Sequence, residues 1–171
     1  KRPPTGQPIF APPAWEYQAG KWSAIGFEIA PTQIPLPSAT RVILDQVIES
    51  SCFYDAMDAG IDRNVAKPSR WTKPSLSPAA TGSAVIADAS RLEHIEQQHR
   101  KVAALDMESF GVYYAAHEAE SNVRHFFSAK CVVHLADADK DDELHEYGCL
   151  ASARATIFVL KRLLIDIQSS G

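Results

Sequence analysis

The chain has 171 residues, enough for one domain with a real core and too few for two roomy ones. With 46% hydrophobic and 22% charged residues it is neither a disordered nor a fibrous chain. Its net charge of −4 argues against a protein that grips nucleic acid through phosphates, although local fields leave small anionic ligands open.

Proline divides the chain. All eleven prolines lie at or before Pro78, so the first part is expected to be loop-rich and the second regularly folded. Residues 1–7 read as an extended lead-in and 8–168 as one domain. Lys1 in place of Met points to a processed chain or a fragment. "SAIGFEIA" (23–30) reads as a strand, and "SATRVILDQVIESSCFYDAM" (38–57) as one helix with Ser38 at its N-cap. Residues 61–77 read as a connecting loop and "GSAVIA" (82–87) as a short extended piece.

"SRLEHIEQQH" (90–99) opens with Ser90 and Glu93 at capping-box spacing, which predicts a helix start. "KVAALDM" reads as a strand, "ESFGVYYAAHEAE" (108–120) as a helix, and "VRHFFSAKCVVHL" as containing a strand that ends in Val132 and Val133. "HEYGCLASARATIFVLKRLLIDIQ" (145–168) is proline-free and apolar at helical spacing. Strand alternating with helix predicts an α/β layered domain.

Generic motifs do not name a chemistry. Asp137, Asp139 and Asp141 sit at positions 1, 3 and 5 of a calcium loop, but its position 6 holds Asp142 instead of Gly and its position 12 holds Gly148 instead of Glu. There is no H-E-x-x-H and no paired cysteines for zinc, so no metal is expected. Gly20-Lys21 lacks the upstream glycine and the following Ser/Thr of a P-loop. Cys52, Cys131 and Cys149 are odd in number and far apart, which fits a reducing cytoplasm. No apolar run approaches bilayer length, so a membrane is not an expected partner, and the net negative charge makes nucleic acid an unexpected one.

Three stretches read in order change this. "SPAATGSAVIAD" (77–88), "HRKVAALDMESFGVYYAA" (99–116) and "ADADKDDELHEYGCLASARATIFVL" (136–160) resemble the nucleoside phosphorylase superfamily. This superfamily includes purine nucleoside phosphorylases, and the branch most similar in appearance holds methylthioadenosine/S-adenosylhomocysteine nucleosidases and phosphorylase-like domains of bacterial signalling and defence proteins. "PIFAPPAWEYQAGKW" (8–22) resembles an earlier segment of the same domains. The resemblance implies a three-layer fold with a central mixed, twisted sheet flanked by helices, here corresponding to the C-terminal portion of the domain.

The same resemblance implies cleavage of the N-glycosidic bond of a purine nucleoside or nucleotide, with water or phosphate as nucleophile and no other cofactor. Met107-Glu108 matches the family's Met-Glu pair. A carboxylate accepts two hydrogen bonds, so Glu108 would hold the ribose hydroxyls with Met107 beneath the sugar. Read without the resemblance, Glu108 is an acid complementing a helix dipole. Val85 and Ile86 fall where the family meets the base, or else belong to strand core. Val85 in place of an aromatic weakens stacking there.

His134 and Asp137 align with the two aspartates of the family's Ser-Asp-x-x-Asp run, and Val133 with its serine. The first of those aspartates serves the departing base. Imidazole titrates near neutrality and suits general-acid work. The substitution therefore marks either a working replacement or a binding module that has lost the reaction. Lys140, Asp141 and Asp142 read as a network leading into the last helix, with Asp141 or Asp142 as its cap. The family's N-terminal strand, water-activating acid and phosphate grip are not found, which implies an open sheet edge covered by a homo-oligomer or by a partner segment. Trp15, Tyr17 and Trp22 are then candidate interface aromatics, or else a local cluster within one domain.

Overall fold

The computed structural model describes residues 3–99, 101–121, 123–135 and 143–169. Two extended runs, each broken by proline, organise it. β1 (Pro8–Phe10) and β2 (Pro13–Glu16) flank Pro12, and β6 (Ser75–Leu76) and β7 (Ala79–Thr81) flank Pro78. Proline has no N–H for a ladder, so pairing lapses at matching places in both runs. Ile9 stands opposite Ser75 and Ala14 opposite Ala79, both in parallel. The Ile9–Ala14 span holds one residue more than its partner, a one-residue bulge.

Partners change across the break. β1 lies between β6 and the antiparallel β9 (Ala129–Cys131). β2 lies between β7 and the antiparallel β5 (Gln33–Pro35), with β8 (Ala104–Asp106) parallel to β7 at the edge. The strands β2, β7 and β8 therefore end side by side, pointing the same way.

Alternation along these strands splits the apolar residues between two cores. Ala14 and Ala79 join Phe10, Leu44, Phe53, Met57 and Tyr113 in the larger one. Trp15 and Ala80, their neighbours in sequence, join Tyr17 and Ile95 in the smaller. Helices thus cover both faces of a mixed sheet. α3 (Ala89–Gln98) covers one. α1 (Ser38–Ile48), α2 (Ser51–Asp58), α4 (Ser109–His117) and α5 (His145–Ser169) pack into the core of the other. α5 buries Tyr147, Ala151, Ala155, Val159 and Leu163 along one stripe. No helix among the described residues is long and apolar enough to cross a membrane.

Tyr113 ties the larger core to the broken strand. Its ring is fully buried, and its hydroxyl donates to the carbonyl of Ala11 at 2.5 Å and accepts from the N–H of Ser128 at 3.0 Å. Burial pushes its phenol well above the ordinary range, so it stays a donor. Tyr113→Phe leaves a buried N–H and carbonyl unpaired, and a loss of about 2–4 kcal/mol is expected. Urea unfolding should show a lower midpoint at unchanged slope; an unchanged midpoint would contradict this role.

Several sequence expectations need correction. The helix over 38–57 is two, because Ser50 takes an extended conformation (φ −82°, ψ 126°) between α1 and α2. The break re-aims α2 so that Phe53 and Met57 reach the core. Pro37, not Ser38, occupies the N-cap of α1. The strand over 23–30 is half of a hairpin, β3 (Gly20–Ser23) against β4 (Gly26–Ile29). Gly26 leaves that turn with φ +125°, a region closed to most side chains. The N-cap of α3 is Asp88, which accepts from the N–H of Ser90 at 2.8 Å, so the capping box starting at Ser90 does not form. The first part of the chain is also less loop-rich than its prolines suggest, since Pro8, Pro12, Pro13, Pro35, Pro74 and Pro78 sit at strand ends and breaks and Pro37 caps α1.

Candidate functional site

The site grows from the corner between β8 and α4, residues Asp106 to Ser109. Asp106 is the last residue of β8, and its side chain is 6% exposed. One carboxylate oxygen accepts from the Thr81 hydroxyl at 2.7 Å and from the N–H groups of Glu108 and Ser109 at 3.3 and 3.1 Å. The other accepts from the Ser109 hydroxyl, which also meets Ser128 at 2.6 Å. An acid three residues ahead of the helix start thus satisfies the N–H groups of the N-cap residue and of the first helical residue. Thr81 in turn accepts from the N–H of Phe110 at 3.0 Å, fastening β7 to the same corner.

This corner throws the next two side chains outward. Met107 is 50% exposed and Glu108 projects beyond it. Lys130, on β9, places its ammonium 2.5 Å from Glu108 Oε2 and 4.0 Å from Asp106 Oδ2. Both Lys130 and Glu108 are substantially exposed, so the pair adds little stability. Its weight lies in where it holds the carboxylate.

An open cleft of about 460 Å³ lies over this corner. Val85 and Ile86 form one wall, on a non-strand segment after β7. Tyr17 braces it by donating to the carbonyl of Ala84 at 3.0 Å. Gly82 permits this, because a Cβ there would sit 2.3 Å from the Tyr17 ring. The opposite wall combines Val133 and His134, just past β9, with His145, Gly148, Cys149 and Ser152 from the start of α5. Gly148 allows that helix to press on the wall, since a Cβ there would lie 2.1 Å from Val133 Cγ1. Ser152 links the two, donating to the Gly148 carbonyl at 2.7 Å and accepting from the Cys131 N–H at 2.9 Å.

Two thiols also reach the cleft and differ in character. Burial, with a smaller push from neighbouring Cys149, raises the Cys131 thiol to about 12. Cys149 is exposed, with its sulfur 3.9 Å from His145 Nδ1. At pH 8, iodoacetamide is expected to label Cys52 and Cys149 and to spare Cys131 until the chain is unfolded. Peptide mass spectrometry checks this, and equal labelling of all three would contradict it.

Of the residues picked out from sequence, Met107, Glu108, Val85, Ile86 and His134 all line this one cleft. Val85 and Ile86 are not strand core: Val85 is 66% exposed, while Ile86 packs partly on the smaller core. Asp137, with Lys140, Asp141 and Asp142, lies outside the described residues. Trp15 and Tyr17 are buried in their own chain. Trp15 donates to Gln98 at 3.1 Å and stacks on His99. Only Trp22 stands out, 79% exposed beside Phe27 on the hairpin. Two residues of the corner escaped sequence reasoning, Asp106 and Lys130. Asp106 had a signal, an acid three residues ahead of Ser109 at a helix start. Lys130 had none. Among the described residues, no three His, Cys, Asp or Glu side chains gather as a metal group.

With that geometry in hand, solved structures give the fold. The chain matches S-adenosylhomocysteine nucleosidase of Streptococcus pyogenes, solved with 5-methylthiotubericidin, at TM-score 0.66 and 18% identity. The match covers 94% of this chain and 60% of that one. The methylthioadenosine/S-adenosylhomocysteine nucleosidase of Colwellia psychrerythraea, solved with adenine, matches at 0.68 and 14% over 94% and 61%. The chain has the nucleosidase fold. Futalosine hydrolase of Helicobacter pylori shares it, at 0.63 and 14% over 95% and 61%. No protein-family model matches. The uncharacterized protein y4jS of Sinorhizobium fredii (strain NBRC 101917 / NGR234) is 28% identical over 163 residues, 93% of this chain and 39% of that protein. The chain thus spans about three-fifths of the solved nucleosidases it matches and two-fifths of this relative.

Proposed function

We propose that the cleft binds a purine nucleoside or nucleotide and that the protein acts on its N-glycosidic bond. One observation carries this reading: Val85 and Ile86, Met107 and Glu108, and His134 come from three separate stretches and meet in one cleft. They do so at the C-terminal ends of β7 and β8 or just beyond β9, and parallel strand ends are where α/β sheets hold ligands. The shared fold adds weight.

In this reading Glu108 accepts the two ribose hydroxyls, and Lys130 holds the carboxylate from the side. Val85 and Ile86 lie against the base, with Tyr17 bracing their segment. His134, from the opposite wall, gives a proton to the departing base, so that the base leaves neutral as the C1′–N bond breaks. Water or phosphate then completes the sugar product. The order of matching stretches also supports reading the chain as the later part of a three-layer phosphorylase-like domain.

A second reading keeps the pocket and drops the turnover. It rests on His134 standing where the sequence resemblance places an aspartate. Incubation with purine nucleosides and nucleotides, with and without phosphate, decides between the two by chromatography of free base. Release without phosphate supports a nucleosidase, and release only with phosphate supports a phosphorylase. Saturable binding without release supports a sensing module. Neither binding nor release would contradict both.

A further inference from the structure

Residues 82–87, the wall that carries Val85 and Ile86, belong to no strand or helix. A segment outside the ladders takes its shape from whatever meets its backbone groups. The Gly82 N–H goes to the carbonyl of Asp106 at 3.0 Å. The next two holds come from the chain just past β2. Tyr17 donates to the carbonyl of Ala84, and the side-chain oxygen of Gln18 accepts twice from Ser83. The Ser83 N–H reaches that oxygen at 2.8 Å and the Ser83 hydroxyl at 3.0 Å.

The clasp is itself anchored from α3. Gln98, the last residue of that helix, accepts from the Trp15 indole at 3.1 Å and donates to the Tyr17 carbonyl at 3.2 Å. Both ends of its carboxamide are engaged, so one orientation of the amide satisfies both partners. α3 starts directly after the wall, at the Asp88 cap, and its far end returns to hold the residues that clasp the wall. The wall, α3 and the turn after β2 thus close on one another.

We infer that Gln18 and Gln98 are positioning residues for the cleft, fixing the wall that Val85 and Ile86 present to a base. Gln18 acts through Ser83, and Gln98 acts through Tyr17 and Ala84. Neither side chain is among those lining the cleft, so each works on a ligand through the wall. The inference rests on the proposal that this wall lies against the base.

One substitution separates the two glutamines. Both bonds of Gln18 to Ser83 fall on its oxygen, so Gln18→Glu keeps them and adds charge, while Gln18→Leu keeps bulk and loses both. Gln98 accepts and donates, so Gln98→Glu keeps the indole bond and sets a carboxylate oxygen against the Tyr17 carbonyl.

Calorimetric titration with adenosine, inosine, guanosine and their 5′-monophosphates tests this. Gln18→Leu should weaken binding about 5- to 10-fold, the scale of one or two exposed hydrogen bonds, while Gln18→Glu stays within about threefold of wild type. Gln98→Glu should weaken it by about 10-fold or more. Where base is released, the loss should fall on KM and spare kcat, because the wall meets the base before and during bond breaking. The unfolding midpoint of Gln18→Leu should match wild type, since Gln18 and Ser83 are exposed. Amide exchange by NMR reads the clasp without ligand. In Gln18→Leu, Ser83 should exchange about fivefold faster or more, while Gly82, bonded to Asp106, is unchanged. Wild-type affinity in Gln18→Leu, equal losses in Gln18→Glu and Gln18→Leu, or unaltered exchange at Ser83 would overturn the inference. A wild-type chain that binds none of the six, with Ser83 responding as stated, would overturn the reading of the cleft and leave the clasp standing.

Discussion

Asp106→Ala is expected to cost about 3 kcal/mol or more of folding stability, a large fraction of a typical domain's margin. The carboxylate collects the Thr81 and Ser109 hydroxyls and two backbone N–H groups. Thr81 and Ser109 are 6% and 2% exposed, so their donors have little access to water once the acid is gone. Asp106→Asn should cost less, because an amide oxygen still accepts from one side. Denaturant unfolding of both variants checks the order. A wild-type midpoint for Asp106→Ala would mean the corner holds itself without the acid, and the account of how Glu108 is placed would fail with it.

The second large effect concerns ligand and leaves stability nearly untouched. Glu108→Ala is expected to weaken nucleoside binding by about 100- to 1,000-fold. That is the loss of two charge-assisted hydrogen bonds worth about 1.5–3 kcal/mol each, partly offset by water. The folded chain should survive, because Glu108 lies outward and its ion pair with Lys130 is exposed. Glu108→Gln separates charge from shape. An amide accepts from one hydroxyl through its oxygen and can only donate to the second through its NH₂, both as uncharged bonds, so it should fall between alanine and wild type. Equal affinity for all three would remove Glu108 from the site.

How much of this was legible in the sequence depends on the range of the interactions involved. α5 was readable almost to its ends, because an uninterrupted helical pattern is a local property. Ser50 broke a helix that composition alone favoured, because burying Phe53 and Met57 required α2 to change direction. From sequence, Trp15 and Tyr17 read equally as interface aromatics or as a local cluster within one domain. Tertiary packing against Gln98 and His99, more than eighty residues away, buried Trp15, and the carbonyl of Ala84 engaged Tyr17.

In the cleft, Glu108 and Met107 were legible through the resemblance, as was His134. Lys130 was not. A lysine in a short strand carries no local mark of function, and only the packing of β9 against β1 brings it to Glu108. The segment carrying Val85 reads as a short extended piece, and its run of four apolar residues, Ala84 to Ala87, does not enter a strand. Gly82 and the Tyr17 ring lying across it turn that segment out of the sheet.

The central claim is that one cleft, anchored by Glu108, takes a purine nucleoside or nucleotide. Calorimetric titration with purine nucleosides and nucleotides tests it most directly. The account predicts saturable binding at one site per chain in the wild type, lost in Glu108→Ala while circular dichroism stays the same. Folded wild-type protein that binds none of them, or a Glu108→Ala variant that binds as tightly as wild type, would contradict it.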